Sequence, residues 1–506
     1  MLLEVEADSL GIDSQTRAVL AAVASFLDSE SLEAYVVGGF LRDALLGRES
    51  HDVDLAVAGD PLSLGQRLAD VLAGHFVRLH EEHKAARIVL PAGGPIRSLD
   101  LLPLRLDIDA DLAQRDLTIN AMAVRVEALA GERQPSITDP CGGRRDLAER
   151  IVRMVRPEAF GADPLRLLRA VRLCADLGFT LDPQTAVVMA ENALLLSQAA
   201  PERQRDELML ILATSRAAPG LRLADEMGLL AVLLPEVTAT KGEEQPKEHH
   251  WDVFDHSLET VAALDALLGS EKPGDGRWAR LWRELWERME EFPAVREHFQ
   301  EEVSQGHTRA ALLKLAALLH DIAKPETRTI EDNGRMRFFG HARVGALRAA
   351  AVARRLRFGG AEVRQVEAMV REHLRPLQIA QDGPPSRRAL YRYFRDTGEA
   401  AIDVLFLSLA DHLATVGPRL DWDDWRAHLG VVSFILAQRF QEEVLTAPSR
   451  LVTGHDLIDT LGLAPGPLVG RLLAAVQEAQ AAGEVATREQ ALTLARQELK
   501  RMEVRL

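Results

Sequence analysis

Residues 36–59, VVGGFLRDALLGRESHDVDLAVAG, decide the fold of the N-terminal part of the chain. An apolar run ends in Gly38 and Gly39, a helical stretch follows, and a second apolar run contains DVD. A glycine pair lets backbone amides approach phosphate oxygens, and the start of the following helix favours their charge. Asp52 and Asp54 are one residue apart in a predicted strand, so both carboxylates leave the same face. The stretch predicts a site for a nucleoside triphosphate and Mg²⁺.

Each of these two patterns alone has a simpler explanation. A glycine pair by itself is often only a turn, and DVD by itself is typical of an exposed strand. The order along the chain is a glycine turn, then a helix, then paired aspartates on the next strand. This combination favours the nucleotide site.

Further candidate site residues lie around these two motifs. Asp100, in the run IRSLDLLPLR, falls on a later predicted strand and could orient or deprotonate an attacking hydroxyl. Arg42, on the helix after the glycine pair, could steady phosphates. The run QRDLTINAMA supplies Arg115, whose planar guanidinium could clamp phosphates, followed by Asp116 and Asn120. Together they extend the predicted catalytic set to three aspartates surrounded by nucleotide contacts.

The composition is that of an ordinary globular protein. The chain has 506 residues, of which 47% are hydrophobic and 27% charged, and this length suits three or four domains. No uninterrupted apolar run reaches the length of a membrane span, and the first residues lack the features of a signal peptide. We therefore expect a cytoplasmic protein with no membrane partner. Cys141 and Cys174 lack a zinc-type spacing and are predicted to be ordinary thiols.

The charge restricts how this chain could bind nucleic acid. A net charge of −16 argues against non-specific coating, because that affinity comes from neutralising phosphates. RNA binding must therefore rest on a local basic surface, and the arginine-rich run at 142–172 is the candidate. Solvated arginines paired with neighbouring carboxylates explain that run equally well. The predicted RNA contacts within and beyond it are Arg144, Arg145, Arg153, Arg156 and Arg203.

Strand and helix patterns divide the chain into domains. Short β-rich runs such as AYVVGG and ARIVLP alternate with helical stretches at first, and after the first third strand signals almost vanish. The predicted fold class is an α/β head followed by all-α neck, body and tail domains. Trp278, Trp282 and Trp286 share one helical face and are predicted to be core. The predicted boundaries are 1–146 for the head, 147–240 for a helical neck and body, 245–443 for a second helical domain and 444–506 for a helical tail.

The motifs of the first half of the chain resemble those of a known family. GGFLRD, DVD, QRDLTINAMA, DPCGGRRDL, DPLRLLRAVRLCADLGF and PERQRDEL stand in the order found in class II tRNA nucleotidyltransferases and bacterial poly(A) polymerases of the polymerase-β-like superfamily. The resemblance implies a five-stranded head in which Asp52 and Asp54 hold Mg²⁺ and in which Arg115 and Asp116 contact the nucleotide. It implies addition of nucleotides from CTP and ATP to the 3′ end of tRNA. A poly(A) polymerase, which shares nearly every motif, is the nearest alternative.

The resemblance also implies how the incoming base is chosen. Asp163 and Arg166 fall on the motif in which a carboxylate and a guanidinium pair with the Watson–Crick edge, a combination that prefers C or A. Arg169 and Arg172, on the same predicted helix, are further candidate nucleotide contacts. A helix N-cap at Asp163 and a solvated Arg166 are the alternative. Arg203, in PERQRDEL, falls on the family motif that braces the neck helices.

The chain departs from the family pattern at three places. Ala162 stands where the template motif has Glu, and Gln114 stands where the earlier motif has Arg. The larger departure follows Arg105, where members that add the whole CCA sequence have a longer flexible loop implicated in switching from C to A. This chain has only LDIDA at that place. A shortened loop is a mark of the CC-adding branch, so both CC and CCA addition are open.

A second constellation lies in the predicted domain at 245–443. Its histidines and aspartates recur on apolar helices in HHWDVFDHS, LLHDIAKPET, FFGHARVG, VREHLRP and LADHLA, and such side chains suit a divalent metal. The pattern resembles the HD phosphohydrolase superfamily, with Lys324 as a candidate phosphate contact. The resemblance implies one metal held by His256, His320, Asp321 and Asp411, and a possible second at His341 and His373.

HD domains fused to nucleotidyltransferases of this class resemble 2′,3′-cyclic phosphodiesterases or phosphatases. The implied substrates are phosphate esters or cyclic phosphate ends of damaged RNA. A domain that mainly binds RNA or stabilises a homodimer is one alternative. Another is a chain with a degenerate head that works only as an HD hydrolase.

Overall fold

The computed structural model describes residues 10–80, 85–131, 135–269, 274, 276–304, 306–381, 383–440 and 450–503. Among these, the chain forms two compact units. The first comprises the residues up to Ala199 together with Glu226–Val232, and the second comprises Ala200–Asp225 and the chain from Leu233 onward. The first unit contains the head sheet, and the second contains the histidine-rich helices.

The head is a mixed sheet with helices packed on it. In the order β3-β4-β5-β2-β1-β6, only the pairing of β2 with β5 is parallel. The strands are β1 (Ala34–Val37), β2 (Asp52–Val57), β3 (His75–His80), β4 (Ala85–Val89), β5 (Ser98–Pro103) and β6 (Ala123–Arg125). The helices are α1 (Ser14–Ser29), α2 (Gly39–Leu45), α3 (Pro61–Val71), α4 (Ile108–Leu112) and α5 (Val126–Ala130), with a 3₁₀ turn at Thr118–Asn120.

The sheet has six strands where the sequence resemblance implied five. β6 lies at the edge beside β1, with Val37 opposite Ala123. It is only three residues long, too short for an alternating pattern to reveal it. Strand β1, between β2 and β6, is fully buried, which explains why its sequence AYVV is apolar throughout.

A helical segment follows the head. Its elements are α6 (Gly143–Glu149), β7 (Ile151–Val152), α7 (Ala159–Ala162), α8 (Arg166–Leu177), β8 (Thr180–Leu181), α9 (Pro183–Glu191), a 3₁₀ turn (Ala193–Gln198), α10 (Pro201–Ala213), α11 (Ala217–Glu226), α12 (Leu229–Leu233) and α13 (Pro235–Thr238). α8 is strongly amphipathic because its leucines, alanines and valine are buried while Arg166, Arg169 and Arg172 recur every third residue. This spacing presents three guanidinium groups along one side of the helix.

The remainder of the second unit is helical, with two short ribbons. Its first elements are α14 (Val253–Leu268), α15 (Arg277–Met289), α16 (Ala294–Gln300), β9 (Glu302–Ser304), β10 (His307–Thr308), α17 (Arg309–Leu319), α18 (Lys324–Thr327), β11 (Arg328–Ile330), β12 (Met336–Phe338) and α19 (His341–Arg355). There follow α20 (Gly360–Glu372), α21 (Arg375–Gln378), α22 (Arg387–Thr397), α23 (Ala401–Val416), α24 (Trp422–Phe440), α25 (Gly454–Leu461), α26 (Pro467–Ala481) and α27 (Arg488–Glu503).

Helix α17 lies at the centre of this unit. All its residues from Ala311 to Leu319 are buried, including Lys314. The Lys314 ammonium is satisfied by the carboxylate of Asp265 at 2.7 Å and the carbonyl of Thr214 at 2.7 Å. A buried cation is tolerated here because both partners compensate for its lost hydration. The helix therefore holds its C-terminal end, where the HD pair lies, in a fixed place.

Three smaller predictions can be compared with the structure. Trp286 is buried, whereas Trp278 and Trp282 are half-buried. The indole N–H groups of Trp282 and Trp286 donate to backbone carbonyls, so the tryptophan face is core at Trp286 and partly buried at the other two. Both cysteines are free thiols. The segment Arg387–Arg419 is long and apolar enough to cross a membrane by composition, but 78% of its apolar window is buried inside the protein. That burial is typical of a core helix.

Candidate functional sites

The turn after β1 brings its backbone against the first candidate carboxylate. Gly38 has a φ of +78°, in the region that favours glycine. A Cβ atom at this position would lie 2.6 Å from Oδ2 of Asp54 and 3.5 Å from Nη1 of Arg115. Any larger residue would fill the space beside Asp54, which glycine keeps open for a ligand.

Strands β2 and β5 set the candidate aspartates side by side. Asp54 lies opposite Asp100 in the parallel ladder, so their side chains share one face. Asp52 accepts a hydrogen bond from Oγ of Ser98 at 2.6 Å. Burial, and then the charge of Asp100, raise the pKa of Asp54 to about 6. A carboxylate that is costly to ionise alone gains strongly from a cation, so this face suits a divalent metal ion.

Asp100 is held by a residue that the sequence prediction did not include. Arg87, opposite it on β4, donates from Nε and Nη2 to the two carboxylate oxygens, each at 2.7 Å. Both oxygens of Asp100 are thus engaged, which favours a positioning role beside Asp54 over the predicted role as a proton acceptor. The sequence did carry a signal for this role of Arg87. The alternation in ARIV points its side chain away from the buried face of the strand.

A cavity of about 740 Å³ lies in the first unit beside Asp54. It brings together residues predicted from three separate motifs. Seven arginines and four aspartates line it, so its wall is positively charged at neutral pH and suits a polyanion. The predicted nucleotide contacts on the wall are Gly39, Arg42, Arg115, Asp116, Asn120, Asp163, Arg166, Arg169 and Arg172, and Arg156 of the predicted RNA contacts also lines it.

Carboxylates orient two arginines of the cavity wall, Arg169 and Arg115. Nη1 of Arg169 donates to Asp116 at 2.9 Å. Burial alone would raise the pKa of Asp116, but the charge of Arg169 holds that pKa below its ordinary value. Arg115 pairs with Asp111 at 3.1 Å. Arginines fixed in this way need little reorganisation to bind phosphate.

Arg42 and Asn120 form a buried link between the glycine turn and the later motif. Nη1 of Arg42 donates to Oδ1 of Asn120 at 2.8 Å, and Nη2 lies 2.8 Å from Asp43. Nδ2 of Asn120 in turn donates to Asp116 at 3.4 Å. Several N–H groups of Arg42 are therefore used within the protein, and its direct contact with phosphate stays a prediction.

The two base-selecting candidates lie on the same cavity wall. Oδ1 of Asp163 accepts the backbone N–H of Leu165 at 3.2 Å, but the N-cap residue of α8 is Leu165 and not, as the alternative had it, Asp163. Arg166 donates from Nη1 to the carbonyls of Gln114 and Ala159 at 3.4 and 3.3 Å. These local bonds fix both side chains at the cavity, and their pairing with a base stays a prediction.

The predicted RNA contacts are not equivalent in the structure. Arg153 pairs with Asp146 at 3.0 Å and with Asp182 at 2.6 Å. Asp146 is 1% exposed and also accepts Oγ1 of Thr118 at 2.6 Å. The guanidinium of Arg153 thus links α6 to Asp182 at the start of α9, which favours a structural role. The other predicted RNA contacts outside the cavity are exposed Arg145 and Arg203 and half-buried Arg144.

In the second unit, three helices bring together the predicted ligands of the first HD metal. Nε2 of His256, on α14, lies 3.0 Å from Asp411 on α23 and 3.2 Å from Nε2 of His320. His320, at the end of α17, lies 3.1 Å from Asp321. Both histidines are fully buried. These four residues, far apart in the sequence, form one cluster as predicted.

The two further histidines predicted for a second metal adjoin the same cluster. Oδ1 of Asp321 lies 3.4 Å from Nε2 of His341 and 4.0 Å from Nε2 of His373. Two ligand triplets, His256–His320–Asp411 and His320–Asp321–His373, each have their ligand atoms within 4.8 Å of one another. The donor set fits one or two divalent cations.

Backbone carbonyls fix the orientation of these imidazoles. Nδ1 of His320, His341 and His373 lies 2.7 to 2.8 Å from the carbonyl oxygens of Ala317, Phe338 and Val370, respectively. When Nδ1 donates to these oxygens, Nε2 carries the lone pair that a metal ion needs. Among the described residues, Nε2 of His341 and Oδ1 of Asp321 have no hydrogen-bond partner. Both face the cluster as unused ligand atoms.

The electrostatics favour the ligand forms of His256, His373 and Asp411. Burial alone would lower the pKa of His320, but the charges of Asp321 and Asp411 raise that pKa. Burial lowers the pKa of His373 to about 3 and also lowers that of His256, so both imidazoles are neutral. Burial alone would raise the pKa of Asp411, but His256 and the other histidines hold that pKa well below its ordinary value. Neutral imidazoles and ionised carboxylates are the protonation states that bind metal.

Lys324 and His249 complete the surroundings of the cluster. Lys324, the candidate phosphate contact, is buried and places Nζ 2.6 Å from Asp321 and 2.6 Å from Gln245. The ring of His249 lies 5.5 Å from that of His256, and burial lowers the pKa of His249 to about 4. The sequence prediction did not include His249, although the HH pair before the first ligand was visible.

Family models match the chain in four places. Residues 34–106 and 94–153 match the poly A polymerase head domain, and residues 253–416 match the HD domain. Residues 178–241 match the RNA and SrmB-binding site of polymerase A, and residues 435–495 match tRNA nucleotidyltransferase domain 2. The head match contains the cavity residues from Gly39 to Asn120, whereas the cavity residues from Arg156 to Arg172 lie beyond it. The HD match contains the whole histidine cluster.

Two curated relatives extend over nearly the whole chain. An A-adding tRNA nucleotidyltransferase from Deinococcus radiodurans is 35% identical and covers 90% of this chain and 94% of its own. A CC-adding tRNA nucleotidyltransferase from Thermus thermophilus is also 35% identical, with coverage of 91% and 92%. The chain belongs to the tRNA nucleotidyltransferase family. A solved CCA-adding enzyme with ATP shares its fold, with a TM-score of 0.60, 21% identity and 97% coverage of both chains.

Membership of the tRNA nucleotidyltransferase family confirms the resemblance inferred from the sequence motifs. It also confirms the α/β head followed by helical domains, and the HD domain fused to them. The family and its HD domain imply nucleotide substrates and divalent metal ions. The roles of individual site residues stay predictions, because family membership does not test them one by one.

Proposed function

We propose that this protein adds C residues from CTP to the 3′ end of tRNA, with Mg²⁺ held by Asp52 and Asp54. The observation that carries the proposal is the arginine-lined cavity, which unites Asp54 with Asp163 and Arg166. Membership of the tRNA nucleotidyltransferase family supports tRNA as the acceptor. A site that holds triphosphate and base at once suits nucleotide transfer better than hydrolysis alone.

The connection after β5 supports addition of C without A. β5 ends at Pro103 and α4 begins at Ile108. The backbone N–H of Leu104 donates to the carbonyl of Val57 at 2.9 Å. Asp107 caps α4 by accepting the N–H of Ala110 at 2.8 Å. Only residues 104–107 join β5 to α4, so this connection lacks the length of the loop implicated in the switch to A. Both of its ends are also anchored by hydrogen bonds.

In the proposed reaction, the RNA 3′-hydroxyl attacks the α-phosphorus of CTP and pyrophosphate leaves. Bound Mg²⁺ would stabilise charge on the attacking and leaving oxygens. Asp52 and Asp54 hold it, with Ser98 orienting Asp52 and Asp100 lying beside Asp54. Gly38 leaves room beside Asp54, and the wall arginines bind the triphosphate.

In this proposal, two side chains of the protein select the incoming base, and no nucleic-acid template is needed. Asp163 accepts from the exocyclic amine of the base, and Arg166 donates to its ring nitrogen or carbonyl. This pattern fits C or A. Because the pattern alone does not separate C from A, the short connection after β5 carries the choice of C, with ATP as the competing substrate.

The experiment that tests this function uses tRNA lacking its 3′-terminal CCA. The purified full-length protein and Mg²⁺ are incubated with CTP, ATP or both, and the products are sequenced. Two C residues and no A are expected. Addition of A to tRNA ending in CC would contradict the choice of C, long A tails would indicate a poly(A) polymerase, and no addition would overturn the transferase proposal.

Replacing Gly38 by alanine is expected to lower kcat/KM for C addition at least about 100-fold, equivalent to about 2.7 kcal/mol of lost transition-state stabilisation. The added Cβ would lie 2.6 Å from Asp54, so the carboxylate or the turn must move. The measurement is the rate of CTP incorporation.

Gly47→Ala is the matched control for Gly38→Ala. Gly47 has a similar φ of +66°, but no described atom lies within 4 Å of a Cβ built there. Gly47→Ala therefore measures the strain of a positive φ without a clash, about 1–2 kcal/mol. The ψ of −145° at Gly38 adds further strain there. If Gly47→Ala loses as much transfer activity as Gly38→Ala, strain alone explains the effect and the proposed clash at Asp54 is wrong.

We propose a second activity, hydrolysis of phosphate esters or of 2′,3′-cyclic phosphate ends of RNA. Its site is the histidine cluster of the HD domain, called the HD cluster below, which consists of His256, His320, Asp321, His341, His373 and Asp411. The observation that favours it is the unused ligand atoms of His341 and Asp321 within a donor set that fits divalent metal. Release of phosphate or opening of the cyclic ester, measured with added divalent metal ions, tests it. A metal-loaded protein that cleaves neither substrate would favour an RNA-binding or dimer-stabilising domain.

The remaining proposals concern location, assembly and domain limits. We place the protein in the cytoplasm, where its tRNA substrate occurs, and propose that it forms a homodimer. We keep the four domain ranges given in the sequence analysis. Sedimentation of the purified chain tests the dimer.

A further inference from the structure

A β-hairpin projects beside the HD cluster. Strands β11 and β12 pair antiparallel, with Arg328 opposite Phe338. Phe339, directly after β12, is 69% exposed. A phenylalanine with most of its surface in water is unusual, because an aromatic side chain gains strongly from burial. What distinguishes Phe339 from other exposed phenylalanines is its position beside the HD cluster.

A backbone contact links the hairpin to the HD cluster. The carbonyl of Phe338 lies 2.8 Å from Nδ1 of His341, whose Nε2 lies 3.4 Å from Asp321. Between them, Gly340 adopts a φ of +80°, which fixes the turn from β12 into α19. The Cα atoms of Phe339 and His341 are two residues apart, at most about 7.6 Å. The backbone that carries the exposed ring is therefore adjacent to a predicted metal ligand.

Cations accompany the two aromatic rings. The guanidinium of Arg337 lies 5.9 Å from the centre of the Phe339 ring. The ammonium of Lys324 lies 5.6 Å from the Phe338 ring and 2.6 Å from Asp321. An aromatic face with neighbouring cations is the combination that binds single-stranded nucleic acid, in which bases stack and phosphates pair with positive charge.

We propose that Phe339 is the platform on which the terminal base of a single-stranded RNA stacks while the phosphate of that end lies at the HD cluster. This inference rests on the phosphohydrolase function proposed above and narrows its substrate class from phosphate esters in general to RNA ends. A small ester without a base would leave the ring uncovered. Because every base has a π-face, the platform tolerates any terminal nucleotide.

The test compares two RNA tetranucleotides that end in a 2′,3′-cyclic phosphate, one with a complete terminal nucleoside and one whose terminal ribose lacks its base. Their affinities for the full-length protein and for Phe339→Ala are measured by fluorescence anisotropy. Phe339→Ala is expected to weaken binding of the complete end about 5- to 160-fold, equivalent to the 1–3 kcal/mol that stacking of one base supplies. It should leave the abasic end unchanged. Phe339→Trp should keep the wild-type affinity for both.

Two controls make the test decisive. Phe434→Ala removes a phenylalanine that is 37% exposed on α24 and should leave both affinities unchanged. Equal losses for the complete and abasic ends, or no loss for either, would overturn the stacking proposal. Binding is measured independently of turnover, so a protein that binds as expected but cleaves neither RNA would refute only the phosphohydrolase activity.

Discussion

Asparagine in place of Asp54 is expected to reduce nucleotide addition at least about 1,000-fold, since metal-assisted charge stabilisation supplies several kcal/mol and each 1.36 kcal/mol is a factor of ten. Asp54 lies on the cavity wall beside Gly38 and opposite Asp100. Asparagine keeps the shape but removes the charge that binds the cation. The measurement is incorporation of labelled CTP into tRNA lacking CCA.

Two comparisons show whether the loss is specific to the transfer site. Asp70→Asn changes an exposed aspartate in the same sheet domain and should add nucleotides at the wild-type rate. HD phosphohydrolase activity of the Asp54→Asn protein should be unchanged, because the histidine cluster belongs to the second unit. A variant that still adds C at more than a tenth of the wild-type rate would remove Asp54 from the proposed metal site.

The second large effect is expected for Asp321→Asn, which should abolish hydrolysis at the HD cluster, again by about 1,000-fold or more. Asp321 contacts His320, which belongs to both ligand triplets, and it also contacts His341 and the nearby cation of Lys324. Asparagine also leaves Lys324 buried beside a neutral group, which should lower the free energy of unfolding by about 3 kcal/mol.

Hydrolysis of a 2′,3′-cyclic phosphate RNA end and the chemical denaturation midpoint measure these two effects. The control is Asp423→Asn, a change at a side chain that is 93% exposed on α24, for which neither quantity should move. The Asp321→Asn protein should still add C to tRNA. Retained hydrolysis would assign the activity to other residues, and a joint loss of addition and hydrolysis would point to general unfolding.

Much of the transfer site could be predicted because its signals are local. A glycine turn, a helix start and the alternation of DVD each lie within a few residues, and the structure places Gly38 and Asp54 together accordingly. Asp100 was predicted as the third aspartate of the site, but the parallel pairing of β2 with β5 that sets it opposite Asp54 depends on strand order and was not predicted. The bidentate grip of Arg87 on Asp100 follows from that order as well.

The histidine cluster was predictable only through the family motif. His256 and His320 are separated by 64 positions in the chain, yet their Nε2 atoms are 3.2 Å apart. No spacing rule connects residues at that separation, since helix packing alone decides their approach. Arg153 illustrates the reverse case. Its sequence context suggested an RNA contact, but two carboxylates from distant segments engage its guanidinium, Asp146 and Asp182.

The anchored connection between β5 and α4 has a consequence for how additions are counted. A pocket whose border cannot lengthen keeps one shape, so the growing RNA end must shift back after each transfer to bring a new hydroxyl to the same place. If the protein adds C alone, as proposed, the number of additions is limited by how much RNA this space accepts. A molecule that stops in this way releases an unfinished end, and a cell that relies on it needs a separate catalyst for the final adenosine.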